Sequence, residues 1–175
     1  MTIKIAEVVS TFPPYRAGQG NAAAAQARVL ADRRHDVTGF TSSGDLDPGR
    51  DVAGGARVRR LRAIASVGNA PVLPGLARLH GFDVVHVHAP FIFGADMVAL
   101  RAATTGMPVV MSYHNQLVAS GAKGAAFQAY LKTSLALRLR QASKVAMLSR
   151  DHALSVPQLA HELMRPADRL RLFEL

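Results

Sequence analysis

Three histidines stand where they could share chemistry. His86 and His88 lie two apart in the segment 83–90 (DVVHVHAP), and His114 ends the segment 109–114 (VVMSYH). Residues two apart in a strand point to the same face, so two imidazoles lie side by side and the third follows the next strand along the chain. Such a trio can begin a zinc or iron site, and an imidazole can also donate a hydrogen bond to a sugar hydroxyl or a phosphate oxygen.

The residues around these histidines favour hydrogen bonding over metal binding. No carboxylate accompanies them, because Asp83 precedes the first of the two strands and Asp96 falls in the following helix. Buried polar side chains in a sheet are commonly hydrogen-bonded for structural reasons. We therefore predict no metal site and expect at least one histidine to contact a ligand. Asn115 extends the polar cluster 112–115 (SYHN), whose other interpretation is a strand end that satisfies loop backbone.

A second group of candidate residues is rich in glycine. Residues 18–23 (GQGNAA) contain Gly18 and Gly20, and Asn21 is placed to cap the helix that follows. Glycines at a helix N-terminus expose backbone N–H groups to which a phosphate can bind. The pattern also matches the dinucleotide fingerprint, but seven residues separate Ser10 from Gly18, and the second strand ends in residues 40–42 (FTS) where an acidic residue is expected. An ordinary strand–helix loop is the third interpretation.

Alternating strands and helices must position these residues. The alternation predicts a single α/β domain, a Rossmann-like doubly wound parallel sheet with helices on both faces. Ligands bind such sheets beyond the carboxyl ends of the strands. The predicted strands are 3–10, 37–41, 56–61, 84–88, 109–113, 144–148 and 170–173. The predicted helices are 22–34, 71–80, 94–105, 125–142 and one capped by Ser149, and 42–55 is predicted to be a loop.

Composition narrows the classes of partner. The net charge of +9 suggests an anionic partner such as phosphate, a membrane surface or nucleic acid. The charge is spread along the chain and tryptophan is absent, so we predict no nucleic-acid function. No apolar run reaches the roughly 18–20 residues that cross a bilayer, and we expect a cytoplasmic protein. The basic helix 125–142 either contacts the inner membrane face or packs on the core with its basic side in solvent.

Several segments together resemble the N-terminal domain of the retaining glycosyltransferases of family 4, which have the GT-B fold. The similar segments are 12–14 (FPP) after the first strand, 31–38 (ADRRHDVT), 83–88 (DVVHVH), 110–114 (VMSYH) and 142–149 (ASKVAMLS). Their order and spacing cover essentially the whole chain. Arg34 stands where this group usually has a glycine, and residues 18–20 (GQG) replace its usual glycine pair.

The resemblance implies an activity and a set of site residues. It implies transfer of a sugar, with retention at the anomeric carbon, from a UDP- or GDP-linked donor to a small-molecule acceptor, with no cofactor and no metal. His114 would be catalytic and contact the transferred sugar. The residues that the resemblance implies for binding of the diphosphate and the acceptor are Gly18, Gly20, Asn21, His88 and Asn115.

The resemblance also implies a second domain. Enzymes of this group bind most of the nucleotide sugar in a C-terminal Rossmann-like domain with a Glu-x7-Glu motif, which the three glutamates Glu7, Glu162 and Glu174 cannot form. We therefore expect residues 1–175 to be the acceptor-side half, inactive by itself. The alternatives are a non-enzymatic Rossmann-like module that binds a phosphorylated ligand or a protein, and a nicotinamide-dependent enzyme.

Overall fold

The computed structural model describes residues 1–15, 17–67, 70–115, 120–157 and 159–160. Within these ranges the chain forms a seven-stranded sheet and a small two-stranded sheet. The strands of the large sheet are β1 (Lys4–Val8), β2 (Asp36–Ser42), β3 (Gly49–Ala53), β4 (Ala56–Leu61), β7 (Val84–Ala89), β8 (Val109–Tyr113) and β9 (Lys144–Met147). The small sheet pairs β5 (Ala65–Val67) with β6 (Ala70–Val72).

The order of the large sheet contains one reversal. The strands lie in the order β3-β4-β2-β1-β7-β8-β9, and every neighbouring pair is parallel except β3 with β4. From β1 the chain builds outward through β2, and from β7 it builds outward in the other direction. The reversal between β1 and β7 is a topological switch point, the place where open α/β sheets bind their ligands.

Helices cover both faces of the sheet. They are α1 (Gly18–Asp32), α2 (Gly94–Thr105), α3 (Gly121–Tyr130), α4 (Ala136–Gln141) and α5 (Arg150–Leu154). Ala23 and Ala27 of α1 pack with Ile5 and Val9. Alternate residues of the same strand, such as Val8, belong to a larger cluster with side chains of α2 and α4. The predicted Rossmann-like doubly wound sheet is therefore confirmed.

The first helix begins earlier than predicted. It starts at Gly18 instead of residue 22, with Ala17 at its N-cap and no side-chain cap. Asn21 is consequently an exposed residue inside the helix, and the prediction that it caps the helix was wrong. Position 20 requires glycine because it lies against the backbone of Thr11, where a Cβ would come within 2.6 Å of the carbonyl oxygen.

The segment predicted to be a loop at 42–55 contains strand β3. This strand pairs antiparallel with β4 through a tight turn in which Gly54 and Gly55 have φ of 58° and 78°. Two consecutive residues with positive φ are typical of two-residue hairpins. The helix predicted at 71–80 is reduced to a 3-10 turn, Pro74–Arg78. The predicted elements 94–105 and 109–113 are confirmed at these bounds, and the strand predicted at 170–173 lies outside the described residues.

The predicted basic helix is continuous but not uniform. Between α3 and α4, the segment Leu131–Leu135 forms a π-helical turn. Its apolar side faces the core, since Leu131, Leu135 and Leu139 are buried. Asp96 of α2 receives hydrogen bonds from Ser134 and Arg138. In the described part of the chain no helix has the length and apolar character needed to span a membrane.

Candidate active site

A cleft of about 860 Å³ lies at the carboxyl edge of the sheet, beside the switch point between β1 and β7. The segments that follow β1 and β7 line it, together with the first turn of α1. His114 and Asn115, directly after β8, complete the polar part of the lining. Its polar and glycine residues include Ser10, Thr11, Gly18, Gln19, His114 and Asn115.

Five polar side chains lie behind this cleft on one face of the sheet. Strand β1 contributes Glu7, strand β7 contributes His86 and His88, and strand β8 contributes Ser112, followed by His114. The strand register pairs Glu7 with His86 and His88 with Ser112. Because residues two apart in a strand share a face, all five lie on the face that α1 covers.

A hydrogen-bonded chain runs from Glu7 to the cleft. Oε2 of Glu7 lies 2.7 Å from Nε2 of His88, and Nδ1 of His88 lies 2.8 Å from Nε2 of His114. The ring planes of His88 and His114 are 17° apart and their centroids 5.0 Å apart, so the two rings lie nearly coplanar and meet edge to edge through this hydrogen bond. Glu7 and His88 have no exposed surface, so His114 is the end of this chain that reaches the cleft.

A second branch leaves the same carboxylate. Nδ1 of His86 lies 3.1 Å from Oε2 and 3.3 Å from Oε1 of Glu7. Nε2 of His86 lies 2.8 Å from the hydroxyl oxygen of Ser112. Glu7 is thus the common partner of two imidazoles, and each imidazole uses its second nitrogen on a residue of β8 or of the turn after it.

Glu7 is an ionised carboxylate in this environment. Burial alone raises its pKa, but the charge of His86 and the hydrogen bonds from His86 and His88 outweigh burial and leave the pKa at about 2. A carboxylate that accepts several hydrogen bonds can remain charged without contact with solvent. The centre of the sheet therefore holds a negative charge compensated by imidazoles.

His88 and His114, the two histidines of the hydrogen-bonded chain, remain neutral. Burial lowers the pKa of His88 further than its hydrogen bond to Glu7 raises it. Burial also lowers the pKa of His114 to about 4, assisted by the neighbouring His88, His86 and His152 and opposed by Glu7. At neutral pH each of these two rings therefore carries one N–H and one bare nitrogen.

The same residues form a potential donor set for a metal ion. Glu7, His86 and His88 each offer a ligand atom, and these atoms all lie within 4.8 Å of one another. One carboxylate and two imidazoles suit zinc or iron. The sequence-based statement that no carboxylate accompanies the histidines was wrong, because Glu7 comes from a distant strand. In the present geometry the contacts of 2.7 and 3.1 Å are direct hydrogen bonds, which already satisfy these ligand atoms.

The structure brings some of the predicted site residues together and separates others. Gly18, His114 and Asn115 line the cleft. The side chain of His88 is completely buried, and its hydrogen bond to His114 connects it to the cleft. Gly20 is buried against Thr11, and Asn21 is exposed on α1.

Sequence reasoning missed Glu7 and Gln19. The side-chain amide of Gln19 donates to the carbonyl oxygen of His88 at 2.6 Å, so α1 is fixed to the end of β7. For Glu7 the sequence does carry a signal. A lone carboxylate inside the apolar run 3–10 must find a partner when the strand is buried, and histidines are the polar residues on the neighbouring predicted strand.

One family model matches most of this chain, and solved structures share its fold. The sequence model of Glycosyltransferase Family 4 matches residues 16–160. The catalytic domain of starch synthase IV from Arabidopsis thaliana, solved with ADP and acarbose, superposes with a TM-score of 0.71 at 13% identity, over 99% of this chain and 51% of the other. HepE from Anabaena, solved with UDP, superposes with a TM-score of 0.61 at 15% identity, over 97% and 43%.

A third solved structure has the same fold. It is an α-glucosyltransferase in complex with UDP and a 13-mer DNA, with a TM-score of 0.60 at 10% identity, over 99% of this chain and 42% of the other. The chain thus spans about half the length of the solved structures it matches. No curated protein sequence matches it.

Proposed function

Because this chain belongs to glycosyltransferase family 4, we propose that it forms the acceptor-side half of a retaining glycosyltransferase that moves a sugar from a nucleotide-diphosphate donor to an acceptor. The observation that carries the proposal is the cleft at the switch point, where His114 lies across from the N-terminus of α1. This pairing suits a diphosphate on one side and a sugar on the other.

The N-terminus of α1 supplies the diphosphate side. The first N–H groups of a helix have no partner within the helix, and they carry the positive end of its dipole. Gly18 opens the helix on the cleft, and a Cβ built there meets nothing within 4 Å. The first turn contains no acidic residue that would compete with a phosphate. A phosphate oxygen can therefore approach the backbone of this turn closely.

His114 supplies the sugar side. It is held in place by its hydrogen bond to His88 and by its own backbone N–H, which donates to the carbonyl oxygen of Ala89 at 2.9 Å. A group fixed in this way contributes by orienting the sugar, which is where transfer reactions gain much of their rate. Stabilisation of the departing diphosphate by the helix N-terminus is the second contribution. We further propose a UDP- or GDP-linked donor and no cofactor.

The solved neighbours support the ligand class. The neighbours were solved with ADP and acarbose, with UDP, and with UDP and DNA. They share a nucleoside diphosphate and differ in the sugar or acceptor. A common donor site with variable acceptors is what we propose for this chain, with the greater part of the nucleotide held by a second domain.

The test is a transfer assay on the full-length gene product that contains this chain. We expect UDP- or GDP-linked hexose to be consumed with retention, as measured by NMR of the anomeric proton. His114→Ala is expected to lower kcat about 10²-fold, the size of one lost transition-state hydrogen bond. The matched control is His80→Ala, because His80 is exposed and follows the 3-10 turn away from the cleft.

Three outcomes would contradict the proposal. Inversion at the anomeric carbon would exclude the retaining mechanism. Binding of a phosphorylated ligand without any transfer would indicate a non-enzymatic module. A thermal shift with a nicotinamide dinucleotide, and none with nucleotide sugars, would indicate the third class of protein.

A further inference from the structure

The hydrogen-bonded chain behind the cleft has a defined direction. Its three members, Glu7, His88 and His114, use four nitrogen and oxygen atoms in two contacts of 2.7 and 2.8 Å. Each contact needs one donor and one acceptor. The charge state of Glu7 therefore decides which nitrogen of His114 carries a proton.

The protons can be assigned one contact at a time. The ionised carboxylate of Glu7 can only accept, so Nε2 of His88 carries the proton in the 2.7 Å contact. A neutral imidazole has a single N–H, so Nδ1 of His88 is bare and must accept in the next contact. Nε2 of His114 then donates across 2.8 Å. Nδ1 of His114 is left as a lone-pair acceptor.

We propose that Glu7 is a positioning residue that acts through His88 to hold His114 in the tautomer with a bare Nδ1, so that the cleft recognises a neutral sugar hydroxyl at this point. A hydroxyl can donate to a bare nitrogen, whereas an ionised carboxylate or phosphate oxygen cannot. The sequence suggested that His114 donates a hydrogen bond, and the network assigns it the opposite role. This inference rests on the proposed function only for the identity of the hydroxyl-bearing ligand.

Two features of the surroundings fix which atom donates and which accepts in each hydrogen bond from Glu7 to His114. Burial of Glu7 and His88 removes water that could otherwise exchange donors and acceptors along the chain. Glu7 also fixes the proton on Nε2 of His88, since a proton on Nδ1 instead would leave the 2.7 Å contact with two acceptors and no donor. The lowered pKa of His114 agrees with a neutral ring.

The first test reads the tautomers directly. The chain is labelled with ¹⁵N-histidine, and two-bond ¹H–¹⁵N correlation spectra are recorded at pH 7. A bare imidazole nitrogen resonates far downfield of a protonated one. We expect His88 and His114 each to show a protonated Nε2 and a bare Nδ1. A protonated Nδ1 on His114, in either the other tautomer or the imidazolium, would overturn the proposal.

Two variants test the role of Glu7. Glu7→Gln replaces an obligate acceptor with a side chain that can donate to Nε2 of His88. Because the amide can also accept through its oxygen, we expect the single direction to be lost, with the Nδ1-protonated tautomer of His114 appearing beside the original one. Ser112→Ala is the matched control because it cuts the branch through His86 and leaves the contact between His88 and His114 in place. An unchanged His114 tautomer in Glu7→Gln, or a changed one in Ser112→Ala, would contradict the assignment. If Glu7→Gln does not fold, the wild-type spectrum and Ser112→Ala still decide.

A ligand titration separates this inference from the proposed function. UDP-glucose is expected to shift Nδ1 of His114 while leaving it unprotonated, and inorganic phosphate is expected not to protonate it. Protonation of Nδ1 by phosphate would overturn the assignment of an acceptor. If neither UDP-linked nor GDP-linked hexoses bind, even to the full-length gene product, the proposed donor class fails. The tautomer measured without ligand still decides the role of Glu7.

Discussion

Oε2 of Glu7 lies 2.7 Å from Nε2 of His88, and neither side chain has any exposed surface. The two residues are 81 positions apart in the sequence and meet because β1 and β7 are neighbours at the switch point. An uncompensated charge at such a depth costs several kcal/mol. The partners of Glu7 therefore make its carboxylate compatible with the fold, and one of them leads to the cleft.

Removal of this carboxylate is expected to be strongly destabilising. Glu7→Ala leaves the imidazoles of His86 and His88 without their common partner and also opens a cavity. We expect the free energy of unfolding to fall by about 3–5 kcal/mol, the usual cost of breaking a buried charged pair. Urea denaturation followed by circular dichroism measures it. Asp47→Ala, at an exposed loop position, should change stability by less than about 0.5 kcal/mol, and equal losses in the two variants would contradict the argument.

The sequence was sufficient for the parts of the fold that depend on local signals. The helix at 94–105 was predicted at its observed bounds because Gly106 ends it with φ of 68°, a conformation that glycine adopts without strain. Strand β8 was similarly bounded by Pro108 and by the polar residues that follow it. The alternation of such elements was enough to predict a doubly wound sheet.

The remaining features depend on contacts between distant residues. Nothing near Glu7 in sequence shows that its partners are His86 and His88, since strand order decides which residues meet. The start of α1 was missed because glycine is a poor helix former, and its presence at position 20 reflects the nearby carbonyl of Thr11. Strand β3 was missed because its sequence (GRDVA) is mostly polar or small, although the following Gly54-Gly55 pair signals a hairpin.

The histidine at the cleft predicts a loss of stability in mild acid. The pKa of His114 is lowered from 6.5 to about 4 in the folded protein, so below pH 6.5 the unfolded chain binds the proton that the folded protein excludes. The free energy of unfolding therefore falls as the pH drops from about 6.5 to 4. For a fully buried ring this shift amounts to about 3 kcal/mol, and the partial exposure of His114 reduces it to about 1–2 kcal/mol.

Urea denaturation at several pH values tests this expectation. In His114→Gln the fall in stability between pH 6.5 and 4 should be smaller than in the wild type, because the titrating group is gone. Glu7, whose folded pKa is about 2 against 4.5 for the free group, contributes a further loss only below about pH 4.5. The other titratable groups near His114 are His86, His88 and His152. Equal pH slopes for the variant and the wild type would show that His114 is not the group responsible.

Arg34 marks a position where glycine should stabilise the protein. It follows α1 with φ of 67°, and its N–H donates to the carbonyl of Ala31 while that of His35 donates to Leu30. This is a Schellman motif, whose left-handed residue is usually glycine, and a non-glycine residue there costs about 1–2 kcal/mol. Arg34→Gly should therefore raise the free energy of unfolding by about 1 kcal/mol. Arg33→Gly is the control, since Arg33 has φ of −80°, and it should lower stability by about 0.5 kcal/mol. A loss in Arg34→Gly would contradict the assignment of strain.

The two glycines of the first turn of α1 should respond to alanine in opposite ways. A Cβ on Gly20 would lie 2.6 Å from the carbonyl oxygen of Thr11, whereas one on Gly18 meets nothing within 4 Å. Gly20→Ala should therefore lower the free energy of unfolding by about 1–3 kcal/mol, and Gly18→Ala should leave it unchanged or raise it by up to about 1 kcal/mol.

For binding of the nucleotide sugar, the substitution at Gly18 should matter more than the one at Gly20. Gly18 lines the cleft, so in the full-length gene product Gly18→Ala should weaken binding of the nucleotide sugar, measured by calorimetry. Gly20→Ala should retain that affinity under conditions where it is folded. If both variants lose stability and neither loses affinity, the first turn of α1 is a packing element and the diphosphate binds elsewhere.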